Sequence, residues 1–330
     1  LNNNKFSTPS WNADSDIRSG RMGELQRPED ALALLTAVRE DWPQSVDHTT
    51  LSDFMVCRRR GYWRHIIGIK LVSEAMPLKF GAHIHLGLQA YYETRDVGEA
   101  IKAFERGWKD SEMDDKRTAS RARKMLVAYD RKYRASLDEW QVVGQEIVAA
   151  RGLKTENGTI PYIFRNDMVV RSPLGMWVVD FKTTSSFSAL TVKSLNPNHQ
   201  FQGYCWGAKA TTGEAIQGLI YDGLLVAKTK EDFLRDYVRY EPWELELWQL
   251  ETSRLVTALA YACEEARNSK DTRVWHTQFP RNPMMCCHYY GECPYRSLCV
   301  CEPRDEALAV EMVGRYTHSV WNPLVMEEEG

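Results

Sequence analysis

Asp167, Asp180 and Lys182 are the residues whose types and spacing best suit chemistry in this sequence. They lie within residues 161–185, PYIFRNDMVVRSPLGMWVVDFKTTS. β-Branched and aromatic residues flank Ser-Pro-Leu-Gly, which has Pro and Gly where a tight turn wants them. The stretch therefore predicts a hairpin with strands over residues 163–171 and 176–183. Folding back about Pro173 and Leu174 brings Asp167 opposite Asp180, unless a bulge at Gly175 shifts the pairing by one residue. Facing carboxylates repel unless something neutralises them. A divalent cation with oxygen ligands would do so. The competing reading is a surface hairpin carrying an Asp–Lys ion pair.

Other elements must position these groups. Along the second strand Trp177, Val179 and Phe181 fall on one face, and Met176, Val178, Asp180 and Lys182 on the other. The apolar face is expected to pack inward while Asp180 and Lys182 project together from the strand end. Upstream, WQVVGQEIVAARGL reads as a strand carrying Glu146 towards the hairpin through a turn at Glu156-Asn157-Gly158. Downstream, Pro197 and Asn198 can open a helix on which Gln200 and Tyr204, spaced i and i+4, share a face. A strand over 215–227 and a long helix over 241–269 follow.

Earlier in the chain, TTLSDFMVCRRRGYWRHIIGI predicts an amphipathic helix capped by Thr50 or Ser52. Leu51, Phe54, Met55 and Tyr62 lie on its apolar side, with Cys57 inside it. Arg58, Arg59 and Arg60 suit a phosphate backbone, because a guanidinium forks onto phosphate oxygens. A solvated basic face would read the same way. A helix starting near Gly81 carries His85, with His83 projecting from a different side; a helical histidine can equally be a packing residue. Residues 97–140 read as helical throughout. Their basic part, 116–134, interleaves Tyr129 and Tyr133, which suits single-stranded nucleic acid or an ordinary surface helix. The first 45 residues form an N-terminal extension with one short helix over 28–40, and residues 46–330 form one domain.

Composition bounds the function. At 330 residues, with 43% apolar and 26% charged residues, the chain reads as soluble and globular. A net charge of −3 confines any nucleic-acid site to a local groove. No apolar run approaches the roughly 20 residues of a membrane span, and LNNNKFSTPSWN lacks the regions of a signal peptide, so the expected address is cytoplasmic. Of eight cysteines, Cys286, Cys287, Cys293, Cys299 and Cys301 crowd together, whereas Cys57, Cys205 and Cys263 stand apart. In a reducing compartment such crowding reads as metal binding before disulfides; buried, unliganded thiols are the alternative.

Taken in order, these motifs resemble the PD-(D/E)xK nuclease superfamily, and within it the RecB-like branch of recombination, CRISPR-associated and phage-encoded exonucleases. The opening helix with Cys57, Gly81-x-x-x-His85, Asp167, Asp180-x-Lys182 and Gln200-x-x-x-Tyr204 follow the family order. The resemblance implies a restriction-endonuclease-like α/β fold: a central mixed β-sheet flanked by helices, with a C-terminal cysteine cluster tied to the N-terminal helix. It implies that His85, Asp167, Asp180 and the Phe181 carbonyl hold Mg2+ or Mn2+. Lys182, Gln200 and Tyr204 complete the catalytic set, and Glu146 stands behind the ligands. It also implies a [4Fe–4S] cluster on Cys57, Cys287, Cys293 and Cys299, within residues 284–301 at the C-terminal side, with Cys286 as rival to Cys287 and zinc as the alternative metal. The spacing departs from the branch's usual Cys-x2-Cys-x5-Cys, and Phe164 stands where relatives often carry glycine. The implied activity is metal-dependent hydrolysis of DNA, most simply by an exonuclease on single strands or open ends in recombination, repair or phage DNA metabolism. A structure-specific endonuclease or a catalytically silent DNA-binding subunit would keep the same fold. No helicase motif is present, so any unwinding falls to a partner.

Overall fold

The computed structural model describes residues 23–24, 27–36, 42–72, 76–271, 273–288, 291–301 and 306–320. Its centre is a six-stranded mixed sheet made of β1 (Val46–Asp47), β2 (Gln141–Thr155), β3 (Gly158–Ser172), β4 (Gly175–Thr184), β5 (Ile216–Leu225) and β6 (Phe233–Arg239). The path runs β1-β3-β4-β5-β6, and β2 pairs with β3 along its length. β3 shares its other edge between β1, parallel at residues 162–163, and β4, antiparallel from Ser172↔Gly175 to Met168↔Val179. β4 and β5 are parallel, and β6 returns antiparallel to β5. β6 has no counterpart in the sequence reading: its FLRDYVR pattern is short and mostly half-buried.

Both faces of β4 are covered: the face that carries Asp180 and Lys182 is packed as well as the apolar one. Trp177, Val179 and Phe181 pack into a cluster with α2 (Met76–Thr94), α3 (Val97–Glu105) and α4 (Ala119–Tyr133). Met176 and Val178 pack against α5 (His199–Thr212) through Phe201, Cys205 and Ala208. A strand sandwiched in this way needs apolar residues at nearly every position. Asp180, 1% exposed, is therefore an exception requiring a reason.

The helices form where local chemistry favours them, with revised ends. α1 (His48–Val56) is capped by Asp47, whose carboxylate accepts the Thr50 N–H at 2.7 Å; Thr50 and Ser52 are not the caps. It ends at Cys57, which is extended (φ −161°, ψ 113°) rather than helical. A short turn of helix, Arg58–Gly61, and a π-helical turn, Tyr62–Ile67, follow. α2 begins at Met76, not near Gly81. The region expected to be helical over 97–140 breaks between α3 and α4. α5 is capped by Asn198, which accepts the Phe201 N–H, and α6 (Pro242–Asn268) opens with Glu241 and Glu244 in a reciprocal cap and Pro at its start. The arm helix spans Pro28–Thr36; residues 37–40 of its expected range, and the tail from 321, lie outside the described residues. A small sheet joins Gly23–Glu24, Tyr316–His318 and Ile69–Leu71, so segments from both ends of the chain meet beside α1.

Candidate active site and cysteine pocket

Hairpin arithmetic places the acidic residues. The β3–β4 ladder stops at Met168↔Val179, and its next step sets Asp167 across from Asp180. Gly175 has φ 109° but introduces no register shift. At that step the backbones part, and the Asp167 carboxylate accepts the Phe181 N–H at 2.7 Å in place of a ladder bond. On the other side of β3, the pairs Gln145↔Met168 and Ile147↔Asn166 set Glu146 across from Asp167. Glu146, Asp167 and Asp180 thus lie at one level across three adjacent strands. Glu146 has φ 47°, a left-handed backbone that costs a non-glycine residue roughly 1–2 kcal/mol.

His85 comes from α2, which approaches the end of β4 closely enough that a Cβ on Gly81 would lie 3.1 Å from the Thr183 hydroxyl. Its Nδ1 is 3.6 Å from Asp167 Oδ2. Ligand atoms of His85, Glu146 and Asp167 all lie within 4.8 Å of one another. His83, as expected, turns elsewhere and bonds the Phe104 carbonyl at 2.8 Å. Lys182 Nζ bonds Asp180 Oδ1 at 3.0 Å, while Asp180 Oδ2 is buried without a hydrogen-bond partner among the described residues. On α5, Gln200 Nε2 donates to the Tyr204 hydroxyl at 2.9 Å.

The electrostatics fit a site built for a cation. Burial, helped by the charge of Asp167, pushes Asp180 up to about 6, against the pull of Lys182. Burial and then Asp167 also raise Glu146. Burial works against the Lys182 ammonium, but Asp180 and Asp167 outweigh it and hold its pKa above the ordinary value. Lys182 is therefore held in its charged form by the carboxylates beside it. Tyr204 is raised far up by burial, then by the charges of Asp180 and Asp167, so it is a neutral hydroxyl beside them. Two carboxylates and an imidazole, with crowded negative charge and an unsatisfied oxygen, suit a hard divalent cation.

The sequence reading kept Glu146 behind the ligands, yet the geometry puts it beside His85 and Asp167. Counting back from the turn at Glu156 and Asn157, where Thr155 pairs with Gly158, would have found it.

The arginines are a correction. Arg59 is buried and donates to the Phe279 carbonyl at 2.7 Å and the His276 carbonyl at 2.5 Å, so it has no face left for a phosphate. Arg60 pairs with Asp53 at 2.7 Å, beside Arg64 at 3.1 Å. Among the described residues no such tie is found for Arg58. Tyr129 is likewise internal. Its hydroxyl donates to Asp222 at 2.7 Å in a buried network with Arg235 and Tyr92, so it cannot stack on bases.

A second constellation lies where α1 ends. Cys57, Cys286, Cys293 and Cys299 line one pocket with Arg60 and Arg281, and all four are free thiols. Cys287, expected as a ligand, is exposed and does not line the pocket, whereas its rival Cys286 does. The walls are tied across 225 residues of sequence: the Cys57 sulfur accepts the Asn282 N–H at 3.2 Å, and Asn282 Nδ2 donates to the Val56 carbonyl at 3.0 Å. Arg281 donates to the Cys299 carbonyl at 2.6 Å. Burial raises the thiols of Cys293 and Cys299, with their neighbouring arginines pulling the other way.

Residues 45–300 match the profile of the PD-(D/E)XK nuclease superfamily, and the chain belongs to that superfamily. Membership implies a nuclease, a hydrolase of nucleic acid, in a family that typically uses divalent metals. Among solved structures, one described as "Crystal structure of SSO0001" is 12% identical, over 73% of this chain and 84% of that chain. Its TM-score is 0.29, too loose a likeness to bear on function. No curated protein matches the chain. No helix among the described residues is long and apolar enough to cross a membrane.

Proposed function

We propose that this chain is a divalent-metal-dependent DNA exonuclease of the RecB-like branch, acting on single strands or open ends. The observation that carries the reading is the convergence of His85, Glu146 and Asp167 on one point, with the Asp180–Lys182 pair on the next strand. His85, Glu146, Asp167, Asp180 and the Phe181 carbonyl are the groups that would hold Mg2+ or Mn2+. An ion held there would supply a water of lowered pKa and offset charge on the phosphoryl oxygens. Lys182 presents its ammonium to the charge developing on the transferred phosphoryl group. Gln200 fixes the Tyr204 hydroxyl, and together they close the α5 side of the site. Arg58 offers a guanidinium to the backbone of the strand. The setting would be recombination, repair or phage DNA metabolism in a cytoplasm, with unwinding left to a helicase partner.

The pocket of Cys57, Cys286, Cys293 and Cys299 is read as the site of a structural [4Fe–4S] cluster, for which four thiolates are the required donors. A single zinc with Zn–S bonds of about 2.3 Å needs its sulfurs roughly 3.8 Å apart. Metal and sulfide analysis of the purified protein separates that zinc site from the cluster.

The test uses DNA labelled at either end, with Mg2+ or Mn2+, comparing wild type with Lys182→Ala. Stepwise shortening by wild type alone supports the reading, and comparing the two labels gives polarity. Internal cuts on structured substrates would instead establish an endonuclease. No cleavage of single strands, duplexes or flaps by wild type would leave a silent DNA-binding subunit.

A further inference from the structure

β5 runs beside β4 in a parallel ladder that pairs Asp180 with Tyr221 and Lys182 with Gly223. Residues at one level on neighbouring strands share a face of the sheet. Here it is the face covered by α5, where Tyr221 packs with Met176, Val178 and Phe201. Tyr221 belongs to none of the motifs of the site, although it stands directly beside Asp180.

Its ring leans forward along the strand, over Gly223. A Cβ on Gly223 would lie 2.7 Å from Tyr221 Cε1 and 3.1 Å from the Tyr221 hydroxyl oxygen. Phe187, just after β4, reaches the same spot, with its Cε1 2.8 Å from that Cβ position. Glycine is needed there for space, because any side chain would displace one of the two rings. The lean carries the Tyr221 hydroxyl from the level of Asp180 to the level of Lys182, one strand away. The Lys182 ammonium bonds Asp180 at 3.0 Å and lies 6.0 Å from the centre of the Phe201 ring, which is 6.3 Å from the Tyr221 ring.

The hydroxyl has no structural employment. It makes no hydrogen bond among the described residues, whereas the Tyr240 hydroxyl on the same face bonds the Leu195 carbonyl. Nor is it one of the sealed polar atoms left unpaired, so the 5% of Tyr221 that stays exposed includes its oxygen. Burial, and then the charge of Asp180, raise its pKa against the pull of Lys182, which leaves a protonated donor near pH 7.

We propose that Tyr221 is a further catalytic residue, whose hydroxyl donates a hydrogen bond to a non-bridging oxygen of the scissile phosphate beside the Lys182 ammonium. The inference rests on the nuclease reading above. Charge on those oxygens must be stabilised as the phosphoryl group is transferred, and a donor already held in place needs no reorganisation to do it. Lys182 supplies charge and Tyr221 direction.

Tyr221→Phe removes the hydroxyl and leaves the ring on Gly223. The test measures single-turnover cleavage of a labelled single-stranded oligonucleotide in Mg2+, metal-free binding of the same oligonucleotide by fluorescence anisotropy, and thermal unfolding. Cleavage at saturating protein is expected to slow about tenfold or more, as for a lost hydrogen bond to a charged group. Binding should stay within about twofold, and the unfolding temperature should not change. Unchanged cleavage in Tyr221→Phe would overturn the proposal. So would weaker binding at an unchanged rate, which would assign the hydroxyl to the strand rather than to the reacting phosphate. A slower rate together with a lower unfolding temperature would make the hydroxyl a structural group and overturn it as well. Wild type that does not cleave DNA would overturn the nuclease reading itself, and the proposal with it.

Discussion

At the scale of single residues, Lys182 and Asp180 differ in the charge that their surroundings favour. Lys182 is kept positive by the carboxylates around it. Its removal should cost about 10²–10³-fold in the rate of cleavage, with DNA binding changed only a fewfold, measurable by single-turnover cleavage and anisotropy. Asp180 is a buried acid whose folded pKa, about 6, lies above its ordinary value. Between about pH 4 and pH 6 the folded chain holds a proton that the unfolded chain has released. This group's contribution to metal-free stability is therefore greatest at low pH and is lost as pH rises through that window. Asp180→Asn should raise the unfolding temperature of the metal-free protein at pH 7 and abolish cleavage. A lower unfolding temperature for that variant would show that Asp180 is not held under strain for a cation. Glu146, with its left-handed backbone beside His85 and Asp167, belongs to the same arrangement, and on the proposed reading stability is given up there in favour of a cation.

At the scale of elements, two buried polar clusters hold the site's frame. Behind β5, Asp222 is fully buried and its carboxylate lies 2.5 Å from Arg235, whose guanidinium packs 3.7 Å over the Tyr133 ring and 4.4 Å over Trp140. Removing one partner leaves an unpaired buried charge, so Arg235→Met should destabilise by roughly 3–5 kcal/mol in denaturant unfolding. Adding Asp222→Asn to it should restore much of that loss. The turn after α1 is anchored by Arg59 and carries Cys57 to the pocket. Cys286→Ala or Cys293→Ala should lower iron content and unfolding temperature together, whereas Cys287→Ala should leave both unchanged. Iron and sulfide assays on protein purified without oxygen check this, and the reverse pattern would return the ligand role to Cys287.

At the scale of the whole molecule, the helix-covered sheet presents its acidic residues where β3 and β4 part, while the cysteine pocket fastens the turn after α1 to the segment around residues 276–299. Cys57 follows α1 directly, so the end of that helix leads into the cysteine pocket. A cation that binds only the folded chain stabilises it by mass action, by about 2.7 kcal/mol at a hundredfold excess over Kd. Mg2+ or Mn2+ should therefore raise the unfolding temperature of wild type by several degrees, and that of a Glu146→Gln, Asp167→Asn variant by much less. Equal shifts in both proteins would place the cation elsewhere.

Local chemistry made much of this legible beforehand. The strands on both sides of residues 172–175, the facing of Asp167 and Asp180, the Asn198 cap of α5 and the long α6 follow from turn residues, two-residue alternation and helix signals, each acting over a few positions. Glu146 was within reach of the same counting. The fates of Arg59, Tyr129 and the cysteines were not, because each depends on partners far along the chain: the Phe279 carbonyl 220 residues from Arg59, Asp222 93 residues from Tyr129, and the backbone of Asn282 225 residues from Cys57. The parallel register that sets Tyr221 beside Asp180 carries no local signal at all. The sequence by itself determined which residues alternate, cap and turn, since those forces are short-ranged. Only the tertiary structure decided which basic, aromatic and sulfur side chains are consumed internally and which remain for substrate or metal. That choice depends on what distant segments bring to each side chain when the core closes.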